Sequence, residues 1–83
     1  MNKDTKILCV CRSGLVRSVE TKKELNKRGY RNVLTVGVQV PLSTMDMLCI
    51  WADIILLAKR SHGDFITNNG RKKIIRGFTL GDD

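Results

Sequence analysis

A chain of 83 residues suffices for one domain with a single modest core. Hydrophobic residues at 42% and charged residues at 28% describe a globular chain, and no apolar run approaches the roughly 18 residues of a bilayer span, which excludes a transmembrane helix. The net charge of +7 favours anionic partners, whether a phosphorylated molecule, a nucleic acid or an acidic protein surface, without choosing among them. The apolar start after Lys6 is too short for a signal peptide, and no membrane partner is expected. Three cysteines, an odd number without scaffold spacing, argue for reduced thiols; a cytoplasmic location is the expectation.

In chain order, the β-branched and aliphatic run over residues 6–10 predicts a first strand. A helix is predicted over residues 18–28, with Ser18 as N-cap, Glu20 in the first turn, an i,i+4 pair from Glu24 to Arg28, and Gly29 as the stop. Residues 32–36 read as a second strand ending at Gly37. Pro41 and Ser43 announce a short helix over 44–51, and Ala52 and Asp53 turn the chain. The continuous apolar run 54–57 is the mark of a strand buried on both faces of a parallel sheet. A third helix is expected over 61–69. A fourth strand is expected at 74–75, followed by the end Leu80-Gly81-Asp82-Asp83. This alternation implies an α/β fold, a single doubly wound domain with a four-stranded parallel sheet flanked by helices. Ligands collect at the carboxyl ends of the strands in such folds. The segment 58–62 follows a predicted strand and so can face the same crevice, as can 81–83.

Cys11-Arg12-Ser13-Gly14-Leu15-Val16-Arg17-Ser18 follows the first predicted strand, with five residues between cysteine and arginine. Only Cys11 has this spacing: six positions after Cys9 stands Leu15, and six after Cys49 stands Ile55. A loop of that length can circle a tetrahedral oxyanion. Its inward N–H groups, from Arg12 through Ser13, Gly14, Leu15 and Val16 to Arg17, form an anion nest, and the next helix adds its positive end. Arg17 can then grip two phosphate oxygens with its planar fork. Gly14 relaxes the backbone at the midpoint. Cys11 lies beneath the phosphorus.

This segment resembles the phosphate-binding loop of cysteine-dependent protein tyrosine phosphatases. The chain order, with the loop after the first strand near the N-terminus, is similar to the low-molecular-weight branch, especially its short bacterial and phage members. Ala52-Asp53-Ile54-Ile55-Leu56-Leu57 and the acidic end after residues 73–76 are also similar, so the likeness spans most of the chain as one phosphatase-like domain. It implies a hydrolase of phosphomonoesters, chiefly protein phosphotyrosine, working through a cysteinyl-phosphate without metal or other cofactor. Cys11 is then the nucleophile, and Arg17 with the loop stabilises the transition state. Ser18 hydrogen-bonds Cys11 as leaving group, and Asp82, or alternatively Asp83, is the general acid. The sequence departs from the branch pattern at three loop positions. Gly14 stands where Asn is usual, Val19 where Pro is usual, and Val16 where a second cysteine is usual. Its general acid also sits at the very end of the sequence, rather than before Pro and Tyr.

Other readings stay open. A cysteine phosphocarrier of the sugar phosphotransferase IIB type has a similar loop but does not require an arginine at position 17. A non-catalytic module binding phosphate groups or nucleic acid fits the basic clusters Lys22, Lys23, Lys27, Arg28, Arg31 and Arg71, Lys72, Lys73, Arg76. Four scattered aromatics, Tyr30, Trp51, Phe65 and Phe78, give no base-stacking platform, so nucleic acid is not favoured. Arsenate reduction needs further positioned cysteines, and Cys49 is distant. Cys9 and Trp51 are expected in the core. His62 follows the third strand, where a structural or solvent-exposed role is the simpler expectation.

Overall fold

The computed structural model describes residues 2–12 and 17–79. The elements are β1 (Ile7–Cys11), α1 (Arg17–Lys27), β2 (Val33–Gly37), α2 (Leu42–Trp51), β3 (Ile54–Leu57), a 3-10 turn (Arg60–Phe65), α3 (Asn68–Arg71) and β4 (Ile74–Thr79). The four strands form one sheet in the order β2-β1-β3-β4, and every pairing is parallel. This is the α/β architecture expected, a parallel sheet with helices on both faces.

Residue alternation explains the two-sided burial. Ile7 and Cys9 of β1 point to one face, where they pack with Val33 and Leu56 beneath Leu25 and Tyr30. Leu8 and Val10 point to the other, packing with Val36, Met45, Cys49, Ile55, Leu57 and Ile66. All five residues of β1 are therefore buried, which is why the central strand reads as an uninterrupted apolar run. α1 covers the first face, and α2, the 3-10 turn and α3 cover the second.

The helix ends follow from local chemistry. Gly29 has φ of +96°, its N–H donates to the Asn26 carbonyl, and the Tyr30 N–H donates back to the Leu25 carbonyl at 3.0 Å. That pair of bonds is the Schellman stop, completed by the apolar contact side of Leu25 and Tyr30. The expected Glu24–Arg28 pair forms, at 3.3 Å on the surface. At the end of α2, Lys73 Nζ donates to the carbonyls of Cys49 at 2.7 Å and Ile50 at 3.2 Å, satisfying acceptors the helix leaves open.

Several expected boundaries shift. β1 runs one residue further than expected, so Cys11 ends the strand rather than opening the loop. α1 begins at Arg17, which puts Ser18 inside the first turn and not at the N-cap. β2 begins at Val33 rather than residue 32. α2 starts at Leu42, directly after Pro41, and the Met45 N–H bonds the Pro41 carbonyl at 3.0 Å. The single helix expected over 61–69 is instead a 3-10 turn and a four-residue helix. Ile66 and Thr67 between them are extended. β-Branched residues are weak helix formers, and Ile66 gains more by inserting into the core, where it is 1% exposed. β4 is longer than expected, Ile74–Thr79.

Candidate functional site

The order β2-β1-β3-β4 means that the chain steps from β1 to one neighbour and then crosses to the other side. The carboxyl ends of β1 and β3 therefore flank the topological switch point, where doubly wound sheets open a crevice. Cys11 stands at that place. It is paired in register with Gly37 of β2, its carbonyl accepts the Val38 N–H at 3.0 Å, and its residue is 5% exposed. On the other side, the Val10 carbonyl accepts the Ala58 N–H at 2.8 Å, which ties the exit of β3 to the exit of β1.

Beyond Cys11 the chain leaves the sheet at Arg12, which is exposed, and α1 begins five residues later at Arg17. This eleven-residue helix follows the carboxyl end of β1 in the chain, and its N-terminus carries the positive end of the helix dipole. Arg17 and Ser18 are the first two residues of that helix. The loop residues Ser13, Gly14, Leu15 and Val16 lie outside the described residues, as do both candidate general acids, Asp82 and Asp83.

Cys9 lies two residues back on the same strand face as Cys11 and is fully buried. Burial pushes its thiol up to about 12, and the charge of a Cys11 thiolate acts in the same direction, while Lys22 on α1 opposes both. Cys9 is thus the packing thiol it was expected to be. All three cysteines are unpaired by disulfides. His62, expected to be structural or solvent-exposed, is 8% exposed inside the 3-10 turn, and its N–H donates to the Lys59 carbonyl at 3.1 Å. Among the described residues, no group of three or more His, Cys, Asp or Glu side chains is placed to hold a metal ion. Nor is any helix among them long and apolar enough to cross a membrane.

The structure therefore brings Cys11, Arg12, the start of α1 and the segment from Ala58 to His62 to one edge of the sheet. Lys59 and Arg60 lie in the segment 58–62 that the sequence placed at this crevice, although neither was named individually as a site residue. Their signal was positional: two exposed cations directly after a continuous apolar strand. An open groove of about 520 Å³ lies elsewhere, lined by Val38, Val40, Leu42, Phe65 and Arg71 among others. It adjoins the core on the α2 side of the sheet, whereas strand alternation assigns Cys11 to the α1 side. Comparison with protein-family models, curated proteins and solved structures gives no significant match.

Proposed function

We propose that this protein is a cysteine-dependent phosphatase that hydrolyses phosphomonoesters, with phosphotyrosine in protein as the substrate class, through a cysteinyl-phosphate. The observation that carries the reading is the position of Cys11. It ends the central strand at the switch point, and α1 starts with Arg17 at the spacing that lets a loop enclose a phosphate.

In the first step the Cys11 thiolate attacks phosphorus, an S–P bond forms, and the ester P–O bond breaks. The leaving oxygen takes a proton from Asp82. In the second step Asp82 accepts a proton from water as the water oxygen attacks phosphorus, the S–P bond breaks, and inorganic phosphate and the thiolate are released. The Arg17 guanidinium and the loop N–H groups stabilise the equatorial oxygens in both steps. Ser18 donates to the Cys11 sulfur, which makes the thiolate a better leaving group.

The test is hydrolysis of a simple aryl phosphate by the wild type and by Cys11→Ser under reducing conditions, with vanadate as competing oxyanion. Vanadate-sensitive turnover that falls to background in the variant is expected. A folded wild type without such turnover overturns the reading in favour of a carrier or a binding module. Asp82→Asn is expected to depress turnover far more on esters with poor leaving groups than on activated aryl phosphates. Equal loss on both removes Asp82 from the role.

A further inference from the structure

We infer that this protein forms a symmetric dimer, in which the outer face of α2 and the groove beside it dock on the same surface of a second copy. Over Leu42–Trp51 the sequence LSTMDMLCIW carries one charged residue, Asp46, and no Lys or Arg, whereas six of the eleven residues of α1 are charged. Met45 and Cys49 turn to the core. Ser43, Met47 and Ile50, at i, i+4 and i+7, form the opposite stripe, on which Met47 is 69% and Ile50 58% exposed. A helix that is apolar around its circumference belongs inside a structure, yet α2 is covered on one side only among the described residues. Leu42 and Phe65, both exposed, continue this face and stand on the walls of the open groove of about 520 Å³. Four of the six large apolar side chains exposed among the described residues thus belong to α2 and its groove.

Three properties fit a second copy of the chain to this face. The first is shape. The groove adjoins the N-terminal half of α2 through Leu42 and Met45, and the exposed pair Met47 and Ile50 stands on the C-terminal half. A two-fold axis that sets α2 antiparallel to its counterpart puts each pair opposite the other copy's groove, a self-complementary contact, and opposes the two helix dipoles favourably. The second is charge. Each copy carries +7, so two copies approach at least cost through an element without Lys or Arg. Asp64 and Arg71 line the groove, and neither is ion-paired with another described residue; the described pairs join Arg28 to Glu24 and Arg31 to Asp4. Arg71 Nε donates to the Ile66 carbonyl at 3.4 Å, which leaves its terminal nitrogens for a further acceptor. The two-fold axis allows two reciprocal pairs, Asp64 of each copy with Arg71 of the other. The third is area. A stable dimer takes about 800 Å² from each partner, roughly one-seventh of a surface of 5362 Å². The ten residues of α2, about 15 Å long, supply only part of that, and the groove with Phe65 and Arg71 extends the face across a body of 30 × 25 × 22 Å.

The experiment is sedimentation equilibrium of the full chain under reducing conditions, from about 10 µM to 1 mM, the range in which contacts of modest area associate. The wild type is expected to rise from the mass of one chain to that of two. Met47→Lys with Ile50→Lys is expected to raise the dimer Kd by about tenfold or more, the effect of losing central interface side chains. Its circular dichroism is expected to stay that of the wild type, because both side chains are exposed. Asp64→Arg is expected to raise Kd by about fivefold, and combining it with Arg71→Asp is expected to restore the wild-type value, a recovery that a merely weakened fold would not show. A wild type that stays monomeric throughout overturns the inference. So does a Kd unmoved by the two lysines, or a loss at Asp64 that the exchanged pair does not recover. The dimer is independent of the Cys11 chemistry, and turnover of an aryl phosphate tests that reading separately.

Discussion

Cys9 and Cys11 share a strand and a face, and both are buried. Cys9 is walled in by Ile7, Val33 and Leu56, and its thiol is held up at about 12 against an ordinary value of 9. In the unfolded chain that thiol ionises near its ordinary value, so between about pH 9 and 12 the unfolded state binds fewer protons than the folded one. Stability therefore falls with rising pH through that window, by about 4 kcal/mol in the limit, because each decade corresponds to roughly 1.4 kcal/mol. Below pH 9 the thiol is neutral in both states and contributes no pH dependence. Replacing Cys9 by Ala is expected to lower stability at neutral pH through the lost packing. It is also expected to narrow the gap to the wild type as pH rises from 9. Urea titrations of both proteins across that range check this, and a constant gap would show that Cys9 ionises normally. The sequence singled out Cys11 by its motif spacing and placed the segment 58–62 at the same crevice only because it follows a predicted strand; that β3 is the strand beside β1 is a tertiary fact no local window contains.

At the scale of elements, the strands and the first helix were readable because their determinants are local, while the region after β3 was not. β1 and β3 are short apolar runs between polar punctuation, and Gly29 is a glycine placed where only a left-handed residue closes the helix. Changing Gly29 to Ala is expected to cost about 1 kcal/mol, since a Cβ at positive φ is strained, even though the space around it is occupied only by the flexible Lys3 side chain. A shift in the urea midpoint with unchanged slope would register that loss, and an unaltered midpoint would refute it. The break between the 3-10 turn and α3 has a tertiary cause. Ile66 is drawn into the core, and the Thr67 hydroxyl donates to Asp46 of α2 at 2.6 Å with Asn69 beside it at 3.0 Å. No window of sequence around residue 66 contains Asp46, so periodicity alone favoured one continuous helix. Those two bonds hold the Asp46 carboxyl below its ordinary value, so their stabilisation is present at neutral pH and is lost as pH falls below the ordinary carboxylate range.

Gly70 shows the same override in reverse. An alanine would favour helix by up to about 1 kcal/mol, but its Cβ would stand 2.6 Å from Cys49 Sγ and 2.8 Å from both Ile55 Cδ1 and Ile66 Cγ2. Those atoms belong to the packed core, so the clash wins, and Gly70→Ala is expected to be destabilising by about 1–3 kcal/mol. Thermal unfolding monitored by circular dichroism decides it: a variant at least as stable as wild type would mean that α3 moves aside freely.

For the whole molecule, charge is the property with the widest consequence. Fifteen Lys and Arg stand against eight Asp and Glu, and the surface ion pairs described, Arg28 with Glu24 and Arg31 with Asp4, are more than half exposed. Pairs of that kind contribute at most about 1 kcal/mol each. Repulsion among the remaining cations acts over the entire surface, so screening removes more destabilisation than stabilisation. Raising sodium chloride from low ionic strength to about 0.5 M, which shortens the screening distance to a few ångströms, is therefore expected to raise Tm by a few degrees. Thermal melts over one salt series test this. A Tm that falls with salt would mean that the surface pairs outweigh the excess positive charge.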